Sequence, residues 1–423
     1  MVETTGIDIV NLLLVLTLAW TGGTLVERLG YPALMGELLA GIVFGPPLLG
    51  LLHPAPELDI LAELGVFLLM IYVGMEVDVK DLVALGPDAF LVAVGGFVLP
   101  FGLGYAAGVL VGASVAQALF LGLAMAATSL ATKSRILVDL DLLDTRIANV
   151  LLGGALVSDV GVLVVFAGVL GFVQTNAVSP VTIGSVALEA LAFFAVTIFI
   201  GVRFLPVLWH HLEALREEYG FVTKTSAFTI ALLVAFLFAA LADAAGLHMI
   251  IGGFMAGLFL RQADLEPDLY ERMYDVIYDL AIGFFAPIFF ATAAFELTLD
   301  VFSESLPLLA VLVAVAFVGK IVGSWLFALP TTLTSSEGLV VGFGMNGRGT
   351  VEIIIASIGL GAGIIDQQLF SILVFLAMLT TALVPVTMKW GVDWLDATDQ
   401  LVRLDDVPDV HDADGLESEP ERW

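Results

Sequence analysis

The sequence predicts an all-α polytopic membrane protein of about thirteen transmembrane helices. Three observations carry that prediction. First, 60% of the 423 residues are hydrophobic, mean hydropathy is +1.04 and only 14% are charged, about half the charged share of a soluble domain. Second, apolar stretches about 20 residues long recur along the whole chain, each long enough to cross a bilayer as a helix. Third, the bases alternate with the spans. Lys320 and Arg348 fall inside spans; the other thirteen lie late in or beyond odd-numbered spans, and none follows an even-numbered one. Lys and Arg concentrate in cytoplasmic loops, so the amino terminus is expected outside the cell membrane and the carboxyl terminus in the cytoplasm.

The first span, 7–27, has no basic region before it and no small-residue cleavage site, so it reads as a true span rather than a signal peptide. The second, 32–51, carries Glu37 within GYPALMGELLAG. The third, 58–77, ends at Glu76 and Asp78, with Glu76 placed at a cytoplasmic mouth. The fourth and fifth, 89–112 and 115–138, share a very short connection, and the fifth is interrupted by TSLAT at 128–132. The sixth, 147–174, holds Asp159 near its middle. The seventh is 181–208. The eighth and ninth, 225–244 and 246–262, are again almost continuous. The tenth is 276–296. The eleventh, 306–329, contains Lys320. The twelfth, 337–363, is interrupted by NGRGT at 346–350, and the thirteenth is 368–390. Glu189 and Asp243 receive no role. The transmembrane domain is therefore 1–392. The segment 393–423 carries eleven acids against Arg403 and Arg422 and reads as a disordered acidic cytoplasmic tail.

An internal repeat emerges from the spacing. GYPALMGELLAG (30–41) matches GLHMIIGGFMAG (246–257) at an offset of 216; Glu76 matches Glu296 at 220; the two interruptions match at 218. The paired spans differ by seven, an odd number, so the halves, about 30–175 and 246–390, cross the membrane in opposite senses. Inverted repeats with broken helices at corresponding positions mark secondary transporters, because irregular backbone survives in a bilayer only where it lines a cavity. The plainer reading is that the Thr and Ser hydroxyls bond back to their own helix.

Charges inside the spans are the next candidates. Asp159 can hold a proton or a cation, and competition between the two is enough chemistry for cation–proton exchange. The bland alternative is a structural pair with a base. Lys320 either pairs with an acid, Asp159 among the candidates, or takes part directly. Arg348 and Glu352, four residues apart on one helical face, read as an internal pair supporting the second broken helix. The composition excludes other classes. With 43 acids, 15 bases and a net charge of −28, no basic patch exists for a nucleic acid. With no cysteine, disulfides and thiolate sites are excluded. An intramembrane protease would need paired aspartates, a Ser–His dyad or a HExxH motif within spans, and none is present.

The stretch YPALMGELLAGIVFGPPLLG (31–50) closely resembles the second-helix signature of the monovalent cation:proton antiporter-2 family, which includes Kef-like and NapA-like proteins. LAELGVFLLMIYVGMEVDVKDL (61–82), GLHMIIGGFMAGLFL (246–260), FFAPIFFATAAFEL (284–297) and NGRGTVEIIIASIG (346–359) resemble further family segments in the same order. The resemblance implies a NhaA/NapA-type fold with two discontinuous, crossed helices, a core domain, a homodimerisation domain and elevator-like alternating access. It implies exchange of Na⁺, or of Li⁺ or K⁺, for H⁺ in the service of pH homeostasis, with no resident cofactor. Kef-type K⁺/H⁺ exchange is the alternative; a cation channel or a transport-dead sensor are more distant ones. The family's essential aspartate maps onto Asp159 as cation ligand, the unwound-helix hydroxyls onto Thr128, Ser129 and Thr132, and the lysine of electrogenic members onto Lys320. One departure is informative: Ser158 stands where the family usually has Asp, Asn or Gln, so the usual partner of Lys320 is missing. A hydroxyl oxygen there still suits a hard cation, and Lys320 is expected to pair with Asp159 instead. The acid excess, with five lysines to ten arginines, suggests a protein of a high-salt cytoplasm such as that of a haloarchaeon.

Overall fold

The computed structural model describes residues 8–77, 86–175, 188, 192–207, 224–262, 267–398 and 400–402. Asp78, Glu189 and the tail beyond residue 402 lie outside the described residues. The described residues contain no strand, and their helices of eight residues or more, in chain order, are α1 (Ile9–Glu27), α2 (Ala33–Phe44), α3 (Pro56–Glu76), α4 (Gly86–Leu110), α5 (Val115–Ala126), α6 (Leu130–Asp139), α7 (Arg146–Thr175), α8 (Ala192–Val207), α9 (Lys224–Ala244), α10 (Met249–Gln262), α11 (Pro267–Leu280), α12 (Ala286–Ala293), α13 (Leu306–Ala328), α14 (Ser335–Gly344), α15 (Thr350–Gly361) and α16 (Gln367–Ala397). One π-helical turn, Ala281–Phe285, joins α11 to α12, and another, Ile200–Phe204, lies within α8.

Polar side chains set several helix starts. Ser114 and Gln117 form a capping box at α5, and Thr334 and Glu337 form one at α14. Asp366 accepts the Leu369 N–H at 2.7 Å ahead of α16. Each answers a backbone donor that has no partner inside its own helix. Among the described residues seven helices are long and apolar enough to cross a membrane, accompanied by six shorter apolar ones. The fifth and twelfth expected spans are each two helices, α5/α6 and α14/α15, as their interruptions require. The second expected span is shorter than read: the helix stops at Phe44, one residue before GPP, because proline cannot continue it.

Extensive helix–helix packing falls within two sets. The first holds α1–α3 and α8–α12; the second holds α4–α7 and α13–α16. Glycine permits the closest approaches. A Cβ on Gly36 would strike the Gly22 carbonyl, and one on Gly252 would strike that of Phe238. Both residues in this second contact lie 216 positions after their counterparts in the first. Likewise Gly41 meets the Ala291 carbonyl and Gly257 meets that of Ile71. The related glycines thus make related contacts with different helices.

Polar contacts at the helix ends also fit alternating crossings. Arg135 reaches Glu27 at 3.0 Å, Arg146 reaches Glu337 at 3.1 Å, and Asp88 accepts from the Thr332 hydroxyl at 2.5 Å, all of them residues at the ends of odd spans or the starts of even ones. Asp8, His53 and Glu57 gather at the start of α1 and the start of α3, with His53 Nε2 3.4 Å from Asp8 and the Asp8 N–H donating to Glu57 at 2.9 Å.

Candidate ion-binding site

The two interrupted helices meet at their breaks. The Ser129 N–H donates to the Gly347 carbonyl at 2.9 Å. The Thr128 hydroxyl lies 3.2 Å from the Met345 carbonyl and 3.1 Å from that of Gly347, and the Thr132 hydroxyl lies 3.2 Å from the Arg348 carbonyl. Ser129 caps α6, its Oγ accepting from the Thr132 N–H at 3.4 Å. The glycines of NGRGT make this proximity possible: a Cβ on Gly349 would stand 2.6 Å from Ser129 Oγ. Backbone groups released by one break are therefore answered by the other, as a buried location demands.

The remaining open carbonyls are those at the end of α5, and they take cations. Arg348 donates to Ala124 and, at 3.0 Å, to Met125; Lys320 donates to Ala126 and, at 3.0 Å, to Ala127. Positive charge at a helix carboxyl end complements its dipole. Arg348 also pairs with Glu352 at 3.1 Å, both side chains fully buried, which is the internal pair expected from their spacing. The expected Lys320–Asp159 pair does not form. The α5 carbonyls, left without helical partners by the break, are the acceptors the Lys320 ammonium takes.

Asp159 and Ser158 sit on α7, 7% and 2% exposed, and neither Asp159 Oδ1 nor Ser158 Oγ has a hydrogen-bond partner. The Leu130 N–H, at the amino end of α6, faces the Asp159 carboxylate, and Lys133 and Lys320 are the positive charges that act on it. No described cation stands within ion-pair distance of it. Thr128, Ser129, Thr132, Ser158, Asp159, Lys320, Arg348 and Glu352 thus share one buried region. Glu76 does not join them. It is exposed at the end of α3, where it accepts from the Tyr274 hydroxyl.

A buried lysine was missed. Lys133 counts by position as a charge late in a span, yet it is 0% exposed and donates to the Thr128 hydroxyl and, at 3.2 Å, to the Ser129 carbonyl. The legible signal is its place four residues after Ser129, on the same helical face. Thr381 was also missed; its hydroxyl accepts the Arg348 N–H at 3.0 Å. A cavity of about 1240 Å³ lies between the two helix sets, lined by Asp59, Glu63 and Phe289 from one and Leu170, Ile354 and Ser357 from the other.

The family profile described as "Sodium/hydrogen exchanger, transmembrane" matches residues 13–394. The chain belongs to the sodium/hydrogen exchanger family. Among similar proteins, the Na⁺/H⁺-K⁺ antiporter GerN of Bacillus cereus is 32% identical over 87% of this chain and 92% of its own length. An Na⁺/H⁺ antiporter of Enterococcus hirae is 31% identical over 90% and 96%. The structure of a sodium proton antiporter from Methanocaldococcus jannaschii superposes with a TM-score of 0.63 over 92% of this chain and 97% of that one, at 16% identity. In this exchanger-family chain the fold and the family are thus fixed independently of the site residues.

Proposed function

We propose that this protein exchanges a monovalent cation, Na⁺ in the first place, for protons across the cell membrane, with cation and proton competing at Asp159. The observation that carries the reading is a buried carboxylate with an unpartnered oxygen beside an unpartnered serine hydroxyl, at the meeting point of two helix breaks. An isolated charge in that setting is costly, so it favours holding either a proton or a cation. The Leu130 N–H faces the carboxylate, and Lys133 and Lys320 are the positive charges that act on it.

The two broken helices act as a crossed pair in an inverted repeat, and the second helix set acts as the moving core. The first set, containing α1–α3, acts as the scaffold and dimer panel. Among the described residues the closest helix–helix packing falls within each set, and the sets meet through apolar side chains of one shared core, such as Phe67 and Phe120, a greasy seam that supports relative motion; the cavity between the sets supplies the approach from outside. Arg348, Glu352 and Lys320 hold the breaks in shape. Ser158 offers a hydroxyl where the family offers a second acid or amide.

The test is dye-monitored exchange in proteoliposomes with Na⁺, Li⁺ and K⁺ in turn, comparing wild type with Asp159→Asn. Uphill cation-driven proton flux that disappears in Asp159→Asn is expected. Flux that survives the substitution overturns the reading. The names of relatives include both Na⁺/H⁺ and Na⁺/H⁺-K⁺ antiporters, so the K⁺ arm decides whether K⁺ is also carried. Dissipative flux without coupling points to a channel.

A further inference from the structure

We infer that Lys133 is a tethered competitor of the transported cation: its ammonium takes the oxygens of the first break when the ion is absent, and thereby sets the apparent cation affinity. The inference rests on the reading of Asp159 and the first break as the transport site.

Three cations are buried around the breaks. Two are committed to fixed acceptors. Arg348 closes the end of α5 through Ala124 and Met125 and pairs with Glu352 at 3.1 Å. Lys320 closes it through Ala126 and Ala127. Lys133 differs in what it touches. Its partners are the Thr128 hydroxyl and the Ser129 carbonyl, the oxygens of the interruption itself. A hard monovalent cation bound at Asp159 would draw on that same class of oxygen.

The charged groups that act on Lys133 come from three elements: Asp159 from α7, Arg348 from the second break and Lys320 from α13, with Glu352 on α15 acting on Lys320. Of the positive charges, Lys133 acts most strongly on Asp159. With three bases against two acids, an added cation meets an excess of positive charge in a region where like charges are poorly screened. Lys133 relieves this by withdrawing, since its ammonium rides on a flexible four-carbon stem, whereas Arg348 and Lys320 leave the α5 end uncapped if they move. Cation binding and Lys133 withdrawal are then one event. When the ion leaves and Asp159 takes up a proton, the ammonium returns to Thr128 and Ser129.

The experiment uses full-length wild type, Lys133→Met, Lys133→Arg and Asp159→Asn in vesicles of one lipid composition, with exchange measured against Na⁺ concentration at a single pH. Lys133→Met is expected to lower the KM for Na⁺ by about tenfold or more, as removal of one nearby like charge implies. Lys133→Arg is expected to keep the KM at or above the wild-type value. The Na⁺ concentration that half-maximally raises the melting temperature of detergent-solubilised protein falls in parallel in Lys133→Met. An unchanged or raised KM in Lys133→Met overturns the inference, because a purely structural lysine would lower kcat or folded yield without tightening Na⁺ binding. Where Lys133→Met gives no folded protein, Lys133→Gln, neutral but able to hydrogen-bond, is measured by the same two readouts. A dead Asp159→Asn with an unchanged KM in Lys133→Met sinks only the role of Lys133; a live Asp159→Asn sinks the site reading beneath it.

Discussion

Glu352 and Asp159 are both acids buried beside the second half of an interrupted helix, at 0% and 7% exposure. Glu352 lies in the first turn of α15 and meets Arg348 at 3.1 Å. Asp159 lies on α7 and faces the first turn of α6, with one oxygen unpartnered. The carbonyls near the two breaks differ in the same sense. Those ending α5 are answered by Arg348 and Lys320, whereas those of Met345, Gly347 and Arg348 are answered by neutral hydroxyls and an amide. The ion pair fixes Glu352 and Arg348 on each other, even though Glu352 Oε2 and Arg348 Nε, like Asp159 Oδ1, have no hydrogen-bond partner. An open carboxylate beside donors and cations retains the freedom to exchange what it holds. Burial beside a break alone therefore does not assign function; the partner does.

The sharpest way to break this contrast is to remove each charge at constant shape. Asp159→Asn is expected to reduce cation-driven proton exchange to the background of empty vesicles while leaving the melting temperature in detergent near wild type. A variant that melts early would mean that Asp159 is structural after all. Glu352→Gln is expected to do the reverse in kind. It leaves Arg348 buried without its counter-charge, a change that costs roughly 3–5 kcal/mol for a buried pair, so the melting temperature should fall by many degrees. An unshifted melting curve would remove Glu352 from the supporting framework.

Much of this was legible in the sequence, and the exceptions have physical causes. The spans follow from hydropathy, and the breaks follow from TSLAT and NGRGT because several polar residues in close succession are unusual within long apolar runs. The Arg348–Glu352 pair follows from helical spacing. The partner of Lys320 did not follow. Sequence shows which side chains carry charge, but backbone carbonyls are present at every residue, and only the three-dimensional break reveals which of them lack a helical partner. Lys133 was missed for a related reason. Near a span end a lysine ordinarily extends to water, and nothing in the chain order says that this one turns back over residues 128–129. Glu76, read from the sequence as a residue of the mouth at the end of the third span, lies exposed at the end of α3 and away from the breaks.

A smaller effect is expected where two neutral bonds share one acceptor. The Arg348 carbonyl lies 3.2 Å from the Thr132 hydroxyl and 3.3 Å from that of Thr381. Thr132→Val keeps the shape and removes one donor, and Thr381 remains. The expected loss of stability is about 1 kcal/mol, the net worth of one ordinary hydrogen bond. Chemical denaturation in mixed micelles would measure it. A loss as large as that of Glu352→Gln would show that the neutral break is as tightly held as the charged one.

The smallest effect belongs to Arg135, which joins α6 of one helix set to α1 of the other through Glu27. Both side chains are about half exposed, 41% and 51%, and such pairs contribute only about 0–1 kcal/mol. Arg135 also lies 3.6 Å from Asp139 on its own helix, so it keeps a partner when Glu27 is removed. Glu27→Gln is therefore expected to leave thermal stability within error of wild type. The proposed motion of one set past the other requires this contact to break in every cycle, and a weak, exposed bond is suited to that. The measurable consequence is in rate: Glu27→Gln is expected to change the maximal exchange rate severalfold or less, with the KM for Na⁺ unaltered because the contact is remote from Asp159. Raising the ionic strength with an untransported salt should produce the same change in wild type and none in the variant, since screening weakens an exposed pair. A shift in KM instead would place Glu27 in the ion's path rather than at the seam between the sets.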